Sequence, residues 1–204
     1  MSDQKTSLLI ATSNAGKIAE LMDMADGLPW NLKSLADFPG VGEVPETGQT
    51  FADNARLKAS EYAIRTGLYA IADDSGLEVA ALNGRPGVLS ARFGGAETPF
   101  SAKMELLLSE LLETGSDDRT ARFVCSIAMS DRKGNILFFA DGVCTGGLAP
   151  APRGSGGFGY DPLFIPDGFD RTFGELPSGV KQKISHRSAA FSQIIPFLRH
   201  FNAV

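Results

Sequence analysis

Apolar and polar positions along the chain alternate between two periods, and the switches between them outline the elements. Ser7 to Thr12 reads as a short buried strand. After it Ile18, Leu21, Met22, Ala25 and Leu28 recur at helical spacing, and Gly27 and Pro29 close that helix. Trp30 to Leu35 alternates like a half-buried strand, and Phe38 to Gly48 is Gly/Pro-rich loop. Thr50 is placed to cap a second helix with Phe51, Ala55, Ala59, Tyr62 and Ala63 inward, and Asn54 and Lys58 flank its apolar stripe. Leu68 to Ala72 predicts a strand that ends in Asp73-Asp74-Ser75-Gly76. A turn over Gly84 to Gly87 and a helix over Thr98 to Leu112 follow. Thr120 to Ser130 and Asn135 to Thr145 predict a hairpin around Arg132-Lys133-Gly134. A glycine-dense loop, Gly146 to Gly159, comes next. The last helix starts near Ser185, with Phe191, Ile194, Ile195 and Leu198 on one side and Pro196 as a kink. Strands and helices mix throughout, which predicts an α/β fold with a mixed sheet in one domain over 1–204.

Composition narrows the function classes. With 204 residues, 43% apolar and 21% charged, the chain has ordinary globular proportions. Its 23 glycines are an excess that points to tight turns or close backbone approach to a ligand. Nineteen basic against 24 acidic residues give a net charge of −5, which argues against a nucleic-acid surface. Cys125 and Cys144 stand alone in apolar runs and read as buried thiols, not zinc ligands. Leu8 to Ala11 is too short an apolar core for a signal peptide, and Ile136 to Ala140 is far below membrane-spanning length. The expectation is a cytoplasmic protein with no membrane partner.

Five segments carry candidate chemistry. Thr12, Ser13, Asn14, Ala15, Gly16 and Lys17 lie between the first strand and first helix, where free backbone N–H groups, the helix dipole and a lysine make an anion site. A P-loop does not fit, because Ala11 and Ile18 replace its first glycine and its metal-binding hydroxyl; a plain cap by Ser13 or Asn14 is the competing reading. Asp73 and Asp74 are costly at the end of a buried strand unless compensated. Strand alternation points them to opposite faces, so one is expected to face a metal or water while the other accepts backbone bonds in the turn. Glu46 supplies another hard oxygen donor for Mg²⁺ alongside Asp74. Lys58 is either a snorkelling side chain or a phosphate contact. Gly154 to Gly159 matches GxGxxG but lacks the strand before and helix after, so a dinucleotide site is not expected. Phe158 on bare backbone, with Asp161 nearby, suits a stacked purine. Ser185 reads as an N-cap that places His186 and Arg187 in a first turn, where positive charge is unfavourable unless a ligand uses it.

Together with Pro86 to Arg92, these segments resemble the inosine triphosphate/xanthosine triphosphate pyrophosphatase family, in order and over almost the whole chain. Asp53 stands where family members often carry Glu, and Leu89 where an aromatic is common. The resemblance implies an elongated α/β fold with flanking helices and two lobes around a central nucleotide-binding cleft, usually as a homodimer. It also implies Mg²⁺-dependent hydrolysis of ITP, dITP or XTP to the monophosphate and pyrophosphate, keeping such bases out of DNA and RNA. By motif, Thr12 to Lys17, Lys58 and Ser75 would hold the triphosphate, and Glu46 and Asp74 the metal. Asp74 would orient or deprotonate the attacking water, with Asp73 in support. Phe158, Gly159 and Tyr160 would line the base, and Asp161, Lys181, His186 and Arg187 would read its edge. A pyrophosphatase for other modified nucleotides and a non-catalytic nucleotide-binding module are the rival readings.

Overall fold

A computed structural model describes residues 5–201. Met1 to Gln4, part of the N-terminal segment considered above as a leader, lie outside the described residues. The chain is α/β. Its strands are β1 (Thr6–Ile10), β2 (Trp30–Ser34), β3 (Tyr69–Val79), β4 (Thr120–Ser130), β5 (Ile136–Leu148) and β6 (Phe164–Pro166). Its helices are α1 (Ala15–Met24), α2 (Phe51–Thr66), α3 (Phe100–Glu113), α4 (Ser178–Ile184) and α5 (His186–His200). The six strands form one mixed sheet in the order β2-β1-β3-β4-β5-β6. β1 pairs in parallel with β2 and β3, and β5 pairs antiparallel with β6.

The chain divides into two compact units, whose boundaries fall inside β3, β4, β5 and α5. The first comprises 5–74, 125–142 and 188–201. Its central strands β1 and β3 are apolar on both faces up to Ala72, as strands covered on both sides must be. Leu8, Ile10, Tyr69, Ile71, Cys125, Ile127 and Met129 pack with Leu21 of α1 and with Phe191 and Ile194 of α5. The intervening Leu9, Ala11, Ala70, Ala72 and Ala128 pack with Ala55, Ala59, Tyr62 and Ala63 of α2. The small residues on this second face let α2 lie close to the sheet. The register aligns Leu9 with Ala70 and Ile10 with Ile71, keeping each face consistent across strands.

The second unit, 75–124 with 143–187, has its own core of Leu77, Val79, Leu107, Phe123, Leu163, Phe164 and Phe173. Three boundaries differ from the sequence reading. β3 does not end at Ala72 but continues through the two aspartates to Val79, because each buried carboxylate has a cationic partner. β5 continues through Gly146 and Gly147, which pair with Pro166 and Ile165 of β6. A Cβ on Gly146 would collide with the Ile165 carbonyl, so these glycines serve close strand approach instead of a loop. α4 precedes the last helix, which runs on through Pro196.

Candidate functional site

Alternation along β3 decides what each aspartate meets. Asp74 continues the face of Ala70 and Ala72, which α2 covers. There Asn54 and Lys58, one turn apart on α2, are both buried. Asn54 donates to Asp74 Oδ2 at 3.0 Å. The Lys58 ammonium lies 3.4 Å from Asp74 Oδ1 and 2.6 Å from Glu46 Oε1. Asp73 continues the opposite face, is fully buried and pairs with Lys17 of α1 at 2.8 Å. The aspartates therefore do not form a dyad. The expectation that one would be held by backbone bonds in a turn is corrected, since both lie within β3 and Asp73 is ion-paired.

The loop bearing Glu46 is tied to α2. Buried Val44 donates its N–H to the Tyr62 hydroxyl at 3.1 Å, and Gly48 donates to Asn54 Oδ1 at 2.7 Å. A Cβ on Gly48 would stand 2.6 Å from the Asp53 Cβ, so only glycine allows this approach. Asn54 thus links the loop to Asp74. Its one legible signal was its place beside the apolar stripe, four residues before Lys58. Thr50 caps α2 in a full capping box with Asp53, whose carboxylate accepts from the Thr50 N–H and hydroxyl. That engagement turns Asp53 to helix capping.

At the start of α1, Asn14 is the N-cap and accepts from the Lys17 N–H at 3.1 Å, while Thr12 accepts from the Asn14 N–H at 3.3 Å. The capping reading therefore holds for Asn14. It does not compete with anion binding, because the first N–H to close onto the helix backbone belongs to Ile18. Those of Ala15 and Gly16 remain at the positive end of the dipole.

Electrostatics in this unit follow from burial beside opposite charge. Burial pushes the Asp74 carboxyl above its usual range, and the Glu46 carboxylate adds to this; Lys58 offsets only part. Burial alone would lower Lys58, but the charges of Asp74, Asp73 and Glu46 outweigh it and hold its pKa above the usual value. Glu46 and Asp74, two hard oxygen donors around one ammonium, suit Mg²⁺, which takes one or two carboxylates and completes its shell with water and phosphate. Among the described residues no group of three or more His, Cys, Asp or Glu side chains gathers as a complete metal cage.

In the second unit, Phe158 is half-buried on the Gly154–Gly159 loop, which no helix follows. The Lys181 ammonium stands 4.2 Å from its ring centroid and the Arg187 guanidinium 5.7 Å. Asp161 accepts from the Phe158 N–H at 2.8 Å and pairs with Lys181 at 2.6 Å. Its carboxylate thus holds the aromatic loop and the lysine. Tyr160 is buried, donates to the Ser90 carbonyl at 3.1 Å and packs edge-on against Phe100. Gly159 adopts positive φ between these two aromatics. Ser185 has extended backbone between α4 and α5, and so starts α5 with His186 and Arg187. The His186 ring stacks on Phe123 with centroids 4.8 Å apart, and buried Arg187 donates to the Ser75 hydroxyl at 3.2 Å. The predicted residues thus gather as two sets, one in each unit.

The Ham1 family model matches residues 8–197. A dITP/XTP pyrophosphatase of Geobacter sulfurreducens is 48% identical over 92% of this chain and 94% of its own length. One from Nostoc sp. is 47% identical over 93% of this chain and 92% of its own. A HAM1 protein from Coxiella burnetii superimposes with a TM-score of 0.88 at 38% identity, covering 95% of this chain and 98% of that one. A family match this long, joined to relatives near half identity along almost the whole length, means that the chain belongs to the Ham1 family.

Proposed function

We propose that the chain hydrolyses non-standard purine nucleoside triphosphates, dITP, ITP or XTP, to the monophosphate and pyrophosphate. The observation that carries this reading is the Asp74–Lys58–Glu46 arrangement, in which two acids and a lysine share one place. Acids repel a triphosphate unless a cation stands between, so the donor set favours metal-assisted phosphoryl chemistry over simple nucleotide binding. The names of the relatives described above point to the same substrates.

Glu46 and Asp74 would hold Mg²⁺, which when bound neutralises triphosphate charge. The N–H groups of Ala15 and Gly16, with Lys17, bind phosphate oxygens, and Lys58 adds a second positive contact. Asp74, oriented by Asn54, takes a proton from water as the water oxygen bonds to the α-phosphorus. The bond from that phosphorus to the bridging oxygen breaks, and pyrophosphate leaves. A carboxylate held in place by Asn54 and Lys58 suits this task by position, since a general base must stand within hydrogen-bond reach of the proton it takes. Asp73 keeps Lys17 in place by its ion pair. Ser75 supports Arg187.

Phe158 stacks on the base, held by Asp161. Lys181, His186 and Arg187 present donors to the oxygen at the purine six-position. Adenine places an amino donor there, and an unmet buried hydrogen bond costs about 1–3 kcal/mol, roughly 5- to 150-fold in discrimination. A homodimer in the cytoplasm completes the proposal, and light scattering on the purified protein checks the dimer. The deciding experiment follows pyrophosphate release from dITP, dATP and dGTP with Mg²⁺. Preferred turnover of dITP is expected; no turnover, or equal turnover of all three, overturns the reading.

A further inference from the structure

Thr172 is fully buried, and its spacing from Glu175 is that of a capping box. In such a box the threonine hydroxyl accepts from the N–H three residues on, and the glutamate accepts from the threonine N–H. The structure keeps only the second half. Glu175 accepts from the Thr172 N–H at 2.9 Å, but the Glu175 N–H goes to the Thr172 carbonyl at 2.9 Å. The hydroxyl makes its shorter bond to the Arg153 carbonyl, 19 residues back in the chain, at 2.7 Å, and also lies 3.3 Å from the Glu175 carboxylate. A buried hydroxyl that reaches the Arg153 carbonyl from beside Glu175 joins two segments.

Arg153 opens the loop that carries Phe158. Its N–H donates to the Pro162 carbonyl at 2.7 Å, which closes the ends of the loop on each other. Its guanidinium donates to the Asp170 carbonyl at 3.1 Å and stands 3.3 Å from the Glu175 carboxylate. In the middle of the loop, Gly156 donates to the Gly174 carbonyl at 2.9 Å; at its end, Gly174 donates to the Asp161 carbonyl at 3.0 Å. A Cβ on Gly174 would lie 2.6 Å from the Arg153 carbonyl oxygen and 2.8 Å from the Pro162 Cα, so the contact needs bare backbone. The 172–175 turn therefore meets the loop at its start, middle and end.

We propose that Thr172, with Arg153 and Glu175, is a positioning device that sets the base-binding loop before substrate arrives. The inference rests on the reading of Phe158 as the residue that stacks on the base. A loop already ordered does not lose that entropy on binding, whereas a loosened one must be ordered by the substrate itself. The cost of loosening then falls on substrate affinity and leaves the chemistry at phosphorus untouched.

Thr172→Val keeps the side-chain shape and removes the hydroxyl, while Thr172→Ser keeps the hydroxyl. In Thr172→Val, KM for dITP is expected to rise about tenfold with kcat within about twofold of the parent. Trypsin should also cut after Arg153 faster than in the parent protein, read by mass spectrometry, and Thr172→Ser should restore both properties. An unchanged KM with unchanged cutting in folded Thr172→Val overturns the proposal. So does a loss of kcat at constant KM, or a Thr172→Ser protein as impaired as the valine variant. Where Thr172→Val fails to fold, Glu175→Gln at the partly exposed carboxylate takes its place, with an expected KM rise of about threefold. If the parent protein does not turn over dITP, the functional reading fails, while cutting at Arg153 still reports on the clamp.

Discussion

The two sets of site residues are built by different means. In the first unit Lys17, Lys58, Asp73 and Asp74 stand on regular elements, and periodicity sets their partners: β3 alternation sends Asp74 to α2 and Asp73 to α1. Of this set only Glu46 comes from a loop, itself tied to α2. In the second unit Phe158 stands on irregular backbone, and its place depends on Asp161, Lys181 and the 172–175 turn. Regular elements hold charges where misplacement is costly, because the reaction depends on electrostatic positioning. A loop stitched to a turn suffices for a flat apolar contact. If this contrast is right, changes in the first unit should act on kcat or stability, and changes in the second on KM.

The largest effect is expected at Asp74. Asp74→Asn keeps the shape and removes the base, so kcat should fall about 10²- to 10⁴-fold with an unchanged circular dichroism spectrum. A variant with near-parent kcat would break the first half of the comparison. Lys17→Met should come next, as a loss of stability. It strands the fully buried Asp73 carboxylate, and removing one partner of a buried pair costs about 3–5 kcal/mol. Lys17 itself keeps some exposure, which places the expected loss near the lower end. Adding Asp73→Asn to Lys17→Met should recover part of it in urea denaturation. A double variant no more stable than Lys17→Met would mean that the pair is not coupled.

Most of the first unit was legible because it obeys simple periods. Thr50, the α2 stripe and the opposed aspartates could be read from spacing alone. The reading failed where a residue's usual meaning was overridden by a partner distant in sequence. Asp73 and Asp74 looked like the end of a strand, yet Lys17 and Lys58 let β3 run on to Val79. Gly146 and Gly147 looked like loop, yet both pair with β6, which Gly146 admits by lacking a Cβ. α4 escaped notice because seven residues with Val180 and Ile184 as its apolar pair give too short a period to register. Phe158, Lys181 and Arg187 were legible as a motif, but the Thr172 clamp was not, since its spacing signals a local cap.

Phe158→Ala tests the second half of the comparison. Aromatic–base stacking contributes about 1–3 kcal/mol, so KM for dITP should rise roughly 5- to 150-fold with kcat changed far less. A fall in kcat as deep as that of Asp74→Asn, at constant KM, would erase the division of labour between the units.

The smallest effect concerns the cysteines, one in each unit, and it sharpens the contrast through pH. Cys144 is raised from 9.0 to about 11, chiefly by burial and then by the charges of Asp167 and Asp161, the second of which holds Phe158 and Lys181. A thiol with a raised folded-state pKa binds more protons folded than unfolded, so stability falls as pH climbs through the unfolded value and levels off above the folded one. The loss from this group between pH 8 and pH 10 should be on the order of 1 kcal/mol. Tyr160, also raised by burial, adds to the decline only from its ordinary value of 10.0 upward. The measurement is therefore a difference: urea melts at pH 8 and pH 10 for the parent protein and for Cys144→Ala. The alanine variant should start less stable at pH 8 through lost packing and decline less steeply. Parallel declines would show that the Cys144 thiol does not sense Asp161 and Asp167, and that burial there is shallower than the packed core requires.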